Sequence, residues 1–255
     1  MKYLLKDLVM LQFLCIFVHK NINFMCMRMD NQQLNLLNRE QLQVFLSGRL
    51  GDGCITTSNT NSTYYITNCK FEEYIDFKAK LLGDKFKKKS ITEKNGFCQT
   101  PIYNIRSCSL DILKSIKAMP IQEVVNYLDD LGIALWFYDD GSLHKTKLFY
   151  NLNTQAFSKE IQEEIFISFF NKRGIYPTLR TEKKADGRVF YYLSINKFSG
   201  AAVISQILSK YPINCYSYKR WSSETIQKWS KVQEHLKSTD RKYSSRELSY
   251  LMRVL

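Results

Sequence analysis

The chain has 255 residues, 45% of them hydrophobic, with 16 Tyr and 16 Phe, enough to bury the core of one large domain or two small ones. Lys and Arg number 37 against 24 Asp and Glu, a net charge of +13 and a pI near 9.3; this bears on partners, with nucleic acid first among them, and not on fold. A zinc module is excluded: there are three His, and the seven cysteines (Cys15, Cys26, Cys54, Cys69, Cys98, Cys108, Cys215) form no CxxC pair and read as reduced thiols.

Residues 1–37 read as an N-terminal extension outside the fold. Its apolar run, Leu8–Val18, is interrupted by Gln12 and falls short of the roughly 20 residues that span a bilayer. A lysine-bearing front precedes it, but no small-residue cleavage site follows. Met25, Met27 and Met29 leave an internal start codon open beside Met1. No basic amphipathic helix stands out, so no membrane partner is expected.

Residues 38–120 form a first half. Arg39–Leu50 predicts a helix that runs into Gly51-Asp52-Gly53. Tyr64–Cys69 predicts a strand. Phe71–Leu82 predicts an amphipathic helix with Phe71, Tyr74, Ile75, Phe77, Leu81 and Leu82 on one side. A basic run follows at Lys85, Lys87, Lys88 and Lys89. Asn95-Gly96 marks a hairpin turn between strands near 86–92 and 98–107. Ser109 is expected to cap a short helix reaching Lys117, and Pro120 closes the half.

Residues 121–220 form a second half. Asp129-Asp130 are expected to cap an almost wholly apolar helix, LGIALWFYDDGS (Leu131–Ser142), that stops at Gly141 as a left-handed glycine would stop it. Asp139 and Asp140 lie in its last turn, where the helix end is already negative. A rule broken without compensation marks a functional site, and a divalent cation would compensate. Beyond it come a strand at Leu148–Thr154, a helix at Ser158–Arg173 before Gly174, and strands near 176–182 and 189–195 about Asp186-Gly187. A helix at Phe198–Leu208 ends the half. Residues 221–255 read as a basic C-terminal arm with one helix around Glu224–Leu236 and no core face after it.

The two halves repeat one plan. VFLSGRLGDGCI (Val44–Ile55) and LGIALWFYDDGS each place an aspartate just past or at the end of an apolar helix, 88 residues apart. Ser47 and Gly48 in one helix, and Gly132 and Ala134 in the other, leave room for close packing. If the helices lie side by side in the same sense, Asp52 and Asp140 meet, and two such carboxylates repel unless cations bridge them. The expected fold is α+β: two pseudo-symmetric αββαββα halves from one chain.

These motifs resemble those of the LAGLIDADG homing endonucleases in their single-chain, two-motif form. The second motif is the closer match; the first departs at Arg49 and Ser47. Asn151–Glu164 (NLNTQAFSKEIQEE), Lys117–Pro120 (KAMP) and Tyr211–Lys219 (YPINCYSYK) also look like the family's text, so the resemblance spans roughly 38–220. It implies motif helices packed at the centre and two antiparallel sheets forming a DNA-binding saddle. It further implies a monomeric, site-specific double-strand DNA endonuclease, intron-encoded and placed in a mitochondrion or other organelle. Asp52 and Asp140 would hold Mg²⁺, with Lys117 and Lys219 as the supporting lysine of each half. Proteins similar to this family can also be maturases bound to intron RNA, or DNA-binding regulators with cleavage lost. That reading stays open as the alternative.

Sheets lying in the major groove would present Lys87, Lys88, Lys89, Arg106, Lys145, Lys147, Arg180, Lys183, Lys184 and Arg188 to phosphates. Neutralising about 8 phosphates corresponds to a salt slope near −7 in log affinity. Asn104, Asn151, Asn153 and Gln155 suit adenine edges. Other nuclease signatures are fragmentary. Gly174-Ile175-Tyr176 has no following YIG, Glu182-Lys183-Lys184 stands alone, and His19, His144 and His235 are scattered.

Overall fold

The computed structural model describes residues 34, 36–93, 100–144, 146, 148–239 and 243–254. The chain divides into two compact units, Met1–Asn38 and Arg39–Leu255, and every element named below lies in the second. The first is α1 (Arg39–Leu50), buried along most of its length, including Gln41, Gln43, Ser47 and Gly48. A helix enclosed on all sides is a core element. Its two glutamines are therefore satisfied: Gln41 donates to the Leu82 carbonyl at 3.1 Å and Gln43 to the Tyr127 carbonyl at 2.9 Å.

Two strands follow, β1 (Gly53–Thr57) and β2 (Thr63–Cys69), then α2 (Glu72–Leu82). Next come β3 (Phe86–Thr92) and β4 (Ile102–Ser107). The four strands form an antiparallel sheet in the order β1-β2-β4-β3. The Asn95-Gly96 turn lies outside the described residues. The next helix, α3 (Ile112–Ala118), begins later than expected, and no side chain caps it. Ser109 therefore does not cap it; the loop before it is pinned by Leu110 N–H donating to the Thr63 carbonyl at 2.9 Å.

Pro120 leads into a short α4 (Ile121–Asn126) and then α5 (Asp130–Asp140). Asp129 caps α5 as expected, its carboxylate accepting from Leu131 N–H at 2.8 Å and Gly132 N–H at 3.1 Å. Gly141 ends it, but with φ −80° and ψ 148°, not in the left-handed conformation. Glycine is needed there for space: a Cβ would stand 2.5 Å from the Phe137 carbonyl oxygen.

The second sheet repeats the first: β5 (Gly141–His144), β6 (Phe149–Leu152), β7 (Thr178–Lys183) and β8 (Val189–Ile195), in the order β5-β6-β8-β7. Between β6 and β7 the helix is wide-turned over Ile161–Phe166 before becoming α6 (Ile167–Asn171), and Gly174 follows with φ +71°. Gln162 sits in that π-turn, donating to the carbonyls of Thr154, Phe157 and Tyr191 and accepting from the Thr154 hydroxyl at 2.6 Å. A buried amide so occupied fixes the helix to its sheet.

α7 (Phe198–Lys210) closes the half. The arm is more ordered than its composition indicates. After a 3₁₀ segment at Asn214–Lys219, α8 (Ser223–Lys237) buries Trp229 and Val232, with Trp229 stacked on Phe198 of α7. α9 (Ser245–Val254) packs on α8 with Met252 buried, so a core face does continue past residue 237.

α1 and α5 lie side by side at the centre. At one end Arg39 pairs with Asp129; at the other, Gly51 lies against Asp139 and Asp140. The helices therefore run in the same direction. Gly132 permits the approach, since a Cβ there would fall 2.2 Å from Gln43 Oε1. Gly48 serves a different contact from the one expected: the space it leaves holds the ring of Tyr65 from β2, at 2.4 Å from an added Cβ.

Candidate active site at the paired helix ends

The C-terminal ends of α1 and α5 deliver Asp52, Asp139 and Asp140 to one place. Asp52 follows α1 in the turn closed by Gly51 N–H donating to the Ser47 carbonyl at 2.9 Å. Asp140 ends α5, and its carbonyl accepts from Asn153 N–H at 3.0 Å. A Cβ on Gly51 would stand 2.8 Å from Asp139 Oδ2 and 3.1 Å from Asp140 Oδ2, which is how closely the two motif turns meet.

The electrostatics record the crowding. Partial burial, then Asp139 and Asp52, raise the Asp140 carboxyl to about 7 from its ordinary 3.8, against the pull of Lys219 and Lys78. Asp52 is raised by the same causes, burial first and then Asp139, and lowered by Lys78 and Lys219. A site that raises both carboxyls favours added positive charge.

Lys219 lies at the same end of α5. Its ammonium donates to the Tyr138 carbonyl at 2.6 Å and the Phe137 carbonyl at 3.3 Å, capping the negative end of α5. Burial lowers it to about 8, while Asp139, Asp140 and Asp52 hold it up. Lys117 does not join the cluster. It is exposed in the last turn of α3, and the charges acting on Asp52 come from Asp139, Lys78 and Lys219. Arg49, the departure in the first motif, has a structural task. Its Nη1 donates to the carbonyls of Ile116 at 2.7 Å and Met119 at 2.6 Å, closing the end of α3.

Sequence reasoning missed Lys78. Its side chain and that of Asp139 are both wholly enclosed, with Nζ 2.8 Å from Asp139 Oδ1 and 3.0 Å from Oδ2. Tyr74 donates to the same Oδ1 at 2.6 Å. Burial works to lower the Lys78 ammonium, but Asp139, Tyr65 and Asp52 together more than offset it and the net shift is upward. A signal was available: Lys78 falls at helical spacing from Tyr74, Ile75, Leu81 and Leu82, inside the apolar stripe, where a charge must be paired.

A divalent cation fits this donor set. The Asp52 and Asp140 carboxylates are hard oxygen ligands, and Asp139 is committed to Lys78 and Tyr74. Among the described residues no group of three or more His, Cys, Asp or Glu side chains could hold a metal ion by itself. Such an ion would take one or two carboxylates from the protein and its remaining oxygens from water or a phosphate, the pattern typical of Mg²⁺.

The strand registers sort the basic residues by face. Lys88 pairs with Arg106, which pairs on its other side with Ile66, and Asn68 and Asn104 lie on the same face of the first sheet. Arg106 lies 3.4 Å over the Tyr64 ring. Lys87 is exposed beside the irregularity in β3. Lys89, on the opposite face, bridges Glu72 at 2.5 Å and Asp76 at 2.7 Å of α2, so its charge is answered within the protein.

In the second sheet Arg180 shares a face with Tyr192, and Asn151 pairs with Ser142 and Ser194. Lys183 falls on the other face, in step with Leu179 and Leu193. Lys184 pairs with Glu182 and Arg188 with Asp186 at the exposed hairpin. Asn153 lies beyond the end of β6. Asn104 donates to Thr92 Oγ1 and to the Ile102 carbonyl, both at 3.1 Å. Lys145 and Lys147 lie outside the described residues.

Comparison with known proteins agrees with this geometry. The profile of the LAGLIDADG DNA endonuclease family matches residues 44–203. No curated protein matches the chain. Among solved structures, the homing endonuclease I-WcaI bound to its DNA recognition sequence is similar at 18% identity and a TM-score of 0.60, over 72% of this chain and 87% of that one. I-DmoI in complex with DNA and Mn is similar at 19% identity and a TM-score of 0.44, over 68% and 98%. Full-length DUF199/WhiA from Thermatoga maritima is similar at 11% identity and a TM-score of 0.46, over 84% and 66%. The first of these likenesses establishes the fold alone.

Proposed function

The chain belongs to the LAGLIDADG DNA endonuclease family, and from that premise we propose that it is a monomeric, site-specific homing endonuclease that cuts both strands of double-stranded DNA with Mg²⁺. One observation carries the reading. Asp52 and Asp140, two carboxylates without an ion-pair partner among the described residues, meet at the ends of two parallel core helices beside a buried lysine.

Asp52 and Asp140 would hold the cation, which when bound supplies charge stabilisation to phosphodiester hydrolysis. Lys219 has three N–H donors and gives two of them to the carbonyls of α5. The third would be left for a phosphate oxygen, where a fixed positive charge in a buried site is worth more than in water. Outer-face residues of the two sheets, among them Lys88, Arg106, Arg180 and Asn151, would follow the groove and its phosphates. A second reading, intron RNA maturase or DNA-binding regulator without cleavage, is favoured by one observation, the absence of Lys117 from the charges that act on Asp52.

Selection of cleaved sites from a randomised duplex library in Mg²⁺ separates the two. The proposal expects a single long site cut in both strands, with cutting lost and binding kept in Asp140→Asn. Binding without cutting by the wild type would establish the second reading instead.

A further inference from the structure

Three carboxylates crowd the helix ends, yet only two are open to a cation. We infer that the third, Asp139, acts with Lys78 as a positioning pair that fixes the main chain carrying Asp52 and makes the two cation-binding carboxylates unequal. This rests on the reading of Asp52 and Asp140 as cation ligands.

The contacts form a bracket. Asp139 Oδ2 accepts from Asp52 N–H at 3.4 Å. On the other side of the same residue, the Asp52 carbonyl accepts from the Thr67 hydroxyl at 3.4 Å, and Thr67 Oγ1 in turn accepts from Lys78 Nζ at 3.4 Å. Lys78 thus reaches both the N–H and the C=O of Asp52, through Asp139 and through Thr67. The pair that anchors the bracket is tight, at 2.8 and 3.0 Å, and wholly enclosed. An enclosed, charge-paired anchor restrains the longer contacts it makes to the backbone.

Among the described residues nothing equivalent holds Asp140. In the repeat, Gly51 occupies the position that Asp139 occupies in the second motif, immediately before the aspartate. Glycine offers no carboxylate to reach across to Asp140. Its bare Cα is also what admits Asp139, since a Cβ there would lie 2.8 Å from both Asp139 Cβ and Oδ2. Asp140 is held by its own half, through Asn153 N–H on its carbonyl and Lys219 on the two preceding carbonyls. The first ligand is thus tied across the two halves, and the second is not. Asp139 itself is no ligand, because Oδ1 already accepts from Tyr74 and Lys78 and the side chain has no solvent access.

The test is strand-resolved nicking of the selected duplex in Mg²⁺, with the strand served by Asp52 identified as the one stopped first by Asp52→Asn. Three variants are compared: Asp139→Asn, Thr67→Val, and the pair Lys78→Met with Asp139→Leu. The pair removes both charges and leaves no orphan in the core. Positioning residues of this kind cost about ten- to a hundredfold. We expect the Asp52 strand to slow by at least about tenfold against the other in Asp139→Asn, with Thr67→Val changing the ratio in the same sense.

A Tb³⁺ luminescence titration of the same variants gives a readout independent of cutting, and is expected to show one class of bound ion weakened while the other is kept. Equal slowing of both strands, as from general loss of stability, overturns the inference, as does an unchanged ratio. If the wild type cuts neither strand, the endonuclease reading fails, and the Tb³⁺ titration decides the positioning role alone. Unchanged lanthanide affinity in Asp139→Asn then overturns it.

Discussion

Asp140→Asn is expected to stabilise the metal-free protein while abolishing its activity. The Asp140 carboxyl is moved from 3.8 to about 7, chiefly by burial and then by Asp139 and Asp52. At 1.36 kcal/mol per tenfold in acidity, that corresponds to roughly 4 kcal/mol of preference for the protonated form, an upper bound. Asp140 keeps partial access to solvent, so screening reduces this to about 2 kcal/mol. The sign follows from linkage. A carboxyl whose folded pKa is raised ionises more readily in the unfolded chain, so stability is full below about pH 4 and is lost as pH rises to about 7.

Asparagine does not ionise and escapes the loss. Urea unfolding should show Asp140→Asn level with wild type near pH 4 and about 2 kcal/mol more stable near pH 8, or about 4–8 °C in Tm. Mg²⁺ should close the gap by stabilising the wild type alone. A variant no more stable than wild type at pH 8, or a gain independent of pH, would refute the assignment of strain to this carboxylate.

Lys219→Met should slow single-turnover cutting about 10²- to 10³-fold with DNA affinity little changed. Because burial lowers Lys219 to about 8, the wild-type rate should lose this contribution as pH rises through about 8, while the variant shows no such step. Arg49→Leu would leave the carbonyls of Ile116 and Met119 without their donor. A loss of about 1–3 kcal/mol in urea denaturation is expected. Binding measured across a salt series should lose about one unit of slope in Arg180→Ala, which lies on an outer face. Lys89→Ala should leave the slope unchanged, its charge being bound to Glu72 and Asp76.

The second motif helix was legible because its residues are apolar on every side and because Asp129 is a strong cap; the first, which carries Gln41, Gln43 and Arg49, was legible as its repeat. The pairing of Asp52 with Asp140 was legible because a repeat at fixed spacing implies a two-fold arrangement. β1 and β5 were legible only through the αββαββα plan and not from their own residues, since GCITT and GSLH have little apolar alternation and become strands by pairing with β2 and β6 as the chain leaves each motif turn. The split between Lys88 and Lys89, or Arg180 and Lys183, depends on register, which a basic run does not reveal. The π-turn at Ile161–Phe166 follows from the bonds of Gln162 to three carbonyls, a tertiary fact. Lys219 was found through resemblance alone; its burial against the carbonyls of Phe137 and Tyr138 has no local signature. Asp139 was visible as an oddity, but a cation was expected to compensate it, and its partner is Lys78, 61 residues away.

The central claim is that Asp52 and Asp140 together hold the catalytic cation. Anomalous diffraction from the DNA complex with Mn²⁺ addresses it directly. The expected result is a peak, or adjacent peaks, in contact with a carboxylate oxygen of each residue and with a backbone phosphate, with Asp139 still on Lys78. Manganese bound elsewhere, or bound by Asp139 with Lys78 displaced, would contradict it.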